Sequence, residues 1–160
     1  MRTWLIAIIL CIFCFILPLQ FFTIGNNSGM GIQGAAYRYI IGPQGNSLIP
    51  ITNEITYVTS GLYTGRTALS VIFWSMGTFI LSGTTAGALI LWNRMTRRQI
   101  QIIAISLIAA SLGYLASCIF QYGLLFNGPA GISIPIGVII LLTFAFFIWY
   151  YREGFFIAAE

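Results

Sequence analysis

The chain has no histidine, no lysine and no aspartate; apart from tyrosines, cysteines and the termini, its ionisable groups are seven Arg and three Glu in 160 residues. Without imidazole there is no His-ligated haem and no Ser–His–Asp or Cys–His nucleophile, and acid/base chemistry has little to work with. Cys11, Cys14 and Cys118 fall short of the four ligands of a closed Cys-based metal site, and no glycine-rich phosphate loop follows a strand. No Arg or Glu lies in the apolar runs to mark a proton or ion path. The inventory therefore reads as non-enzymatic, with no catalytic residue, no metal and no cofactor assigned. Its aromatic surfaces leave a bound lipid or quinone open.

What the chain has in abundance is apolar sequence, 59% hydrophobic against 6% charged. Four runs are free of Arg and Glu: Trp4 to Phe22, Thr67 to Trp92, Ile100 to Phe126 and Ile134 to Tyr151. Each has the roughly 20 residues that a bilayer core demands. The reading is an all-α membrane protein, a four-transmembrane-helix bundle with a β-prone first extracellular loop, forming one membrane domain. Its predicted parts are transmembrane helices over 4–22, 67–92, 100–122 and 134–151, an outer loop over 23–66, a cytoplasmic loop over 93–99, a short outer loop over 123–133 and a tail over 152–160. The first run follows a short basic stretch but lacks a small-residue cleavage site, so it reads as a retained anchor, with Pro18 kinking or ending its helix.

Four spans place the N-terminus, the 93–99 loop and the C-terminus on one side. Arg2, Arg94, Arg97, Arg98 and Arg152 share that side, against Arg38 and Arg66 on the other, so the positive-inside bias predicts cytoplasmic termini. Trp4, Trp92, Trp149, Tyr150 and Tyr151 fall where amphipathic rings settle at the same interface. The net charge of +4 is accounted for by this topology and by anionic headgroups, and no nucleic-acid partner is expected.

The one sizeable polar segment is Thr23 to Arg66. Its punctuators are the run from Gly25 to Gly31 and Gly42-Pro43-Gln44-Gly45-Asn46. Ala36 to Ile41 and Ile49 to Thr59 are rich in β-branched and aromatic residues, which predicts a small antiparallel sheet or hairpin with Pro50 at an edge or strand start. Loops of this length tend to carry recognition, and Tyr37, Arg38, Tyr39, Glu54 and Tyr57 are the candidate interaction residues. Glu54 has Arg38 and Arg66 as candidate ion-pair partners. Asn26-Asn27-Ser28 fits a glycosylation acceptor at Asn26, with an unmodified turn as the other reading.

Gly83 and Gly87 form a small-xxx-small pair, and Ala109, Gly113 and Ser117 repeat that spacing in the next span. Such rows let helices approach closely, either within the chain or on a partner's helix. Ser75, Thr78, Ser82, Thr84, Thr85, Ser106, Ser111, Ser117 and Gln121 are the polar positions within spans, and most read as bonding back to their own helix. Cys11-x-x-Cys14 lies within an apolar stretch, where thiolate is disfavoured and packing is the better explanation.

The order of these elements, together with Gly61-Leu62-Tyr63 and Arg66 before the second run, resembles the claudin-like tetraspan proteins, whose first loop carries a Gly-Leu-Trp signature. The family's paired loop cysteines and its signature Trp are missing, and Gly61-Leu62-Tyr63 lies closer to the second run. The resemblance implies adhesion through the outer loop. The preferred expectation is a non-catalytic accessory or structural subunit that packs against other membrane subunits, copies of itself and lipids. The alternative is a self-associating tetraspan, followed by a small transporter or a thiol/quinone redox enzyme.

Overall fold

A computed structural model describes residues 3–25, 29–91 and 95–150. Its centre is an antiparallel hairpin of two long helices, α3 (Gly65–Leu91) and α4 (Arg97–Tyr122). At 27 and 26 residues each is about 40 Å long, more than the roughly 30 Å of a bilayer core. Ser70, Trp74, Gly77, Leu81, Thr85 and Ala88 are buried along one stripe of α3, facing Ile100, Ile103, Leu107, Ala110, Tyr114 and Ser117 of α4. The outward faces are apolar as well: Ile72, Met76, Phe79, Ile90, Ile102, Ile105 and Leu112 are all exposed. A helix that is hydrophobic all round belongs in a large core or a membrane. Thr96 starts α4 with a capping box, its hydroxyl accepting from Gln99 N at 3.3 Å while Gln99 Oε1 accepts from Thr96 N at 2.7 Å.

Two shorter helices flank the hairpin, α1 (Thr3–Phe15) against α3 and α5 (Ile136–Tyr150) against α4. Between them the chain builds a sheet from β1 (Gln20–Ile24), β2 (Gly29–Gln33), β3 (Tyr37–Gly42), β4 (Gly45–Pro50), β5 (Asn127–Gly128) and β6 (Gly131–Ile134), in the order β4-β3-β2-β1-β6-β5 with every pairing antiparallel. A nine-residue helix, α2 (Ile51–Thr59), joins β4 to the turn before α3.

This architecture overturns the expected all-α four-helix tetraspan. The chain is a mixed α/β protein with a six-stranded antiparallel sheet, and among the described residues two helices are long and apolar enough to cross a membrane. The first and last apolar runs are divided by proline. Ile16 N and Leu17 N both bond to Ile12 O, closing α1 ahead of Pro18, and Phe21 and Phe22 then join β1. Ile134 likewise ends β6, and α5 begins only after Pro135. Thus α1 and α5 have 13 and 15 residues, about 20 Å of helix each.

The second predicted strand is also corrected, because residues 51–59 are helical. Pro50 closes the ladder as the last strand residue, and Ile51 N turns away to donate to Ala36 O at 2.9 Å. Ile51, Glu54, Ile55 and Val58 then lie on one helical face directed inward. The residues expected to form a short outer loop, 123–133, instead supply β5 and most of β6. Gly131, at φ +128, lets β6 close on β1: a Cβ there would lie 1.9 Å from Thr23 O.

Candidate functional site

The sheet is inside out. Its register places Gln20, Gln33 and Arg38 side by side on adjacent strands, and all three are buried against the helix ends together with Phe22 and Ser133. The opposite face carries a row from Ile134 through Phe21, Ile32 and Tyr39 to Leu48, and beside it Thr23, Met30, Ile41 and Asn46. An antiparallel sheet with one wet face normally turns polar residues outward. Here the polar row is inside, while Met30, Leu48 and Ile134 are 61%, 65% and 56% exposed.

Arg38 is 6% exposed and is the hub of the inner face. Its Nε and Nη2 donate to Gln33 Oε1 at 3.2 and 2.8 Å, Nη2 also to Gln121 Oε1 at 3.3 Å, and Nη1 to Glu54 Oε1 at 3.0 Å. The guanidinium also lies near the rings of Phe22 and Trp74, at 5.7 and 5.2 Å from their centroids. Gln33 Oε1 accepts in addition from Gln20 Nε2 at 2.8 Å, and Gln20 Oε1 accepts from Ser133 Oγ at 3.1 Å and from the thiol of Cys118. On the helix side Ser70 Oγ donates to Gln121 Oε1 at 3.1 Å and lies 3.0 Å from Ser117 Oγ. One hydrogen-bonded network therefore joins β6, β1, β2, β3, α2, α3 and α4. Trp74 Nε1 donates to Gly34 O at 3.0 Å and Thr78 Oγ1 to Ala35 O, which seats the β2–β3 turn on α3.

A guanidinium taken out of water survives only when its donors are satisfied, and this one uses its charge on glutamines and a single carboxylate. Glu54 is fully buried, and its second oxygen, Oε2, has no hydrogen-bond partner among the described residues. Burial pushes its pKa above the ordinary carboxylate value, and Arg38 opposes that rise without cancelling it. Tyr63, near the same carboxylate, is raised for the same first reason and then by the Glu54 charge. A raised folded-state pKa means that the folded protein holds this proton more tightly than the unfolded chain. The stabilisation it gives is complete below the ordinary value near 4.5 and is lost as pH rises through the higher folded value. Thermal unfolding followed from about pH 4 upward should show a falling midpoint that flattens in Glu54→Gln. An unchanged slope in that variant would assign the pH dependence elsewhere.

The sequence-derived residues divide between the two faces and the helices. Arg38 and Glu54 meet at the hub, Tyr39 lies on the outer face, and Tyr37 packs its ring beside Gly34. Tyr57 meets Tyr63 edge-on at 5.4 Å. Of the residues behind the claudin resemblance, Arg66 is exposed in the first turn of α3 and Leu62 is 72% exposed, whereas Tyr63 lies near Glu54. Ser117 bonds across to Ser70, whereas Ala109 is exposed. Gly113 lies against α3, where a Cβ would be 3.3 Å from Gly77 Cα, but a Cβ at Gly83 or Gly87 meets nothing within 4 Å. Ser75, Thr84, Thr85 and Ser111 bond back to carbonyls one turn earlier at 2.7–2.8 Å. Cys11 is half-buried on α1. Asn26 lies outside the described residues, as do Arg2, Arg94 and Arg152 of the orientation argument. Gln20, Gln33, Ser70 and Ser133 were not singled out by sequence; glutamines in otherwise apolar strands were the available signal.

Comparison with protein-family models, with curated proteins and with solved structures returns no match.

Proposed function

We propose that the chain is a non-catalytic accessory subunit of a membrane assembly, embedded through α3 and α4 and joined to its neighbours through its outward surfaces. The observation that carries this reading is the inverted sheet. Its polar side chains are spent on fixing it to the helix ends, leaving an apolar face with no charged residue on it. Large exposed apolar faces mark interaction sites. The Arg38 network supports a positioning role, because it ties four strands of the sheet to α2, α3 and α4 and so holds that face in place. The apolar exteriors of α3 and α4 suit lipid or a partner's helices.

Cross-linking in native membranes, followed by purification of the full chain in mild detergent, tests the reading. The expected result is one or more other membrane proteins recovered in fixed stoichiometry, with cross-links mapping to the sheet or to α3 and α4. Recovery of a chain cross-linked to no other membrane protein would overturn it.

A further inference from the structure

We infer that the outer sheet face is a self-association surface, on which two copies of this chain pack sheet to sheet within the assembly; this rests on the accessory-subunit reading above. The argument begins from what can cover such a face. A sheet that is apolar on one side is buried in folded proteins by a helix layer or by a second sheet about 10 Å away. The helices of this chain already occupy the inner side, where Phe22 lies 6.3 Å from the ring of Tyr122 and Arg38 reaches Gln121.

Size and charge select the occupant. From their fractional exposures, Phe21, Met30, Ile41, Leu48, Ile132 and Ile134 present roughly 600 Å² of accessible surface, the upper end of the ~300–600 Å² found for the largest patch on a monomer. Two copies that cover these six residues completely would remove roughly 1,200 Å² from water, above the ~1,000 Å² that separates specific interfaces from chance contacts. The face has no Arg and no Glu, so two identical copies meet without like-charge repulsion, although the chain as a whole carries +4. A twofold interface needs a surface that complements itself. Two parallel rows, one of Ile134, Phe21, Ile32 and Tyr39 and one of Ile132, Thr23, Met30 and Ile41, border a shallow cavity of about 390 Å³ and meet that need, because side chains of one copy can enter the furrow of the other. The polar atoms on the face, those of Thr23, Tyr39 and Asn46, are uncharged, and Thr23 Oγ1 already accepts from Ile132 N at 3.0 Å.

The test uses the full chain in mild detergent and in lipid nanodiscs, with mass read by native mass spectrometry over a dilution series. Wild type is expected to form a dimer, and Met30→Glu with Ile134→Glu to weaken it at least tenfold. Leu62→Glu, an exposed charge off the face, should leave it unchanged. Both sheet positions are exposed, so helix content and unfolding midpoint should match wild type and separate lost association from lost folding. A wild type that stays monomeric at every concentration overturns the inference, as does a dimer indifferent to the two glutamates. If the glutamates instead release a different co-purifying membrane protein, self-association is wrong while the accessory-subunit reading stands.

Discussion

Arg38→Ala is expected to destabilise the protein by about 3–5 kcal/mol, the range for breaking a buried ion pair from one side. The loss is large because the variant removes donors from Gln33, Glu54 and Gln121 together; Gln33 and Gln121 keep Gln20 and Ser70 as donors, but the buried Glu54 carboxyl loses the one it has. It also removes the cation from beside Trp74 and Phe22. Arg38→Lys keeps the charge but cannot form the fork that reaches Gln33 and Glu54 together, so it should recover only part of the loss. The sharper comparison is with Arg38→Met combined with Glu54→Leu. If the pair is a charge in need of a partner, deleting both ends should cost less than Arg38→Met alone, since no orphaned carboxyl is left. Unfolding in detergent, followed by circular dichroism, gives the order. A double variant that costs as much as Arg38→Met alone would overturn this account, and one less stable than wild type would mean that the pair contributes net stability over its apolar replacement.

The identity of this pair was readable before the fold, because Glu54 is the one acid in the long polar segment and Arg38 and Arg66 are its two bases. Its environment was not. An exposed pair contributes about 0–1 kcal/mol, and what turns this one into a hub is burial beneath a sheet whose glutamines come from β1 and β2. Gln20 and Gln33 are 13 positions apart and Gln121 is 83 from Arg38, so only the strand register and the helix hairpin bring them together. The two long helices were legible because an unbroken apolar run of that length has few other stable forms. The first and last runs were equally apolar, and composition does not distinguish a buried helix from a strand with one apolar face. Pro18 and Pro135 were the local signals for the change. At Ile51 to Thr59 the β-branched residues point toward strand, but the helix brings Glu54 to Arg38 and turns Ile51, Ile55 and Val58 inward, and tertiary gain overrides propensity.

Gly77→Leu is expected to cost about 3 kcal/mol, the upper end for overpacked cores, while Gly83→Leu should leave the isolated chain close to wild type. The sequence pattern points the other way, since Gly83 and Gly87 form the obvious small-residue pair and Gly77 stands alone in it. Geometry reverses the order. A Cβ at Gly77 would lie 2.9 Å from the Tyr114 ring and 3.1 Å from Ala110 O, and one at Gly113 would lie 3.2 Å from Phe73 O. Tyr114 has no room to withdraw, being buried and within 3.4 Å of Thr78 Oγ1, which in turn bonds to Ala35 O at the β2–β3 turn. A larger side chain at 77 must therefore push α4 away and disturb the seat of the sheet with it. At Gly83 and Gly87 nothing lies within 4 Å, so Ala at either position should add up to about 1 kcal/mol of helix propensity. Unfolding of Gly77→Ala, Gly83→Ala and their Leu counterparts in one detergent decides the matter. The close contact requires a loss at 77 and no loss at 83; equal losses at both would mean that α3 and α4 meet along the Gly83–Gly87 row instead.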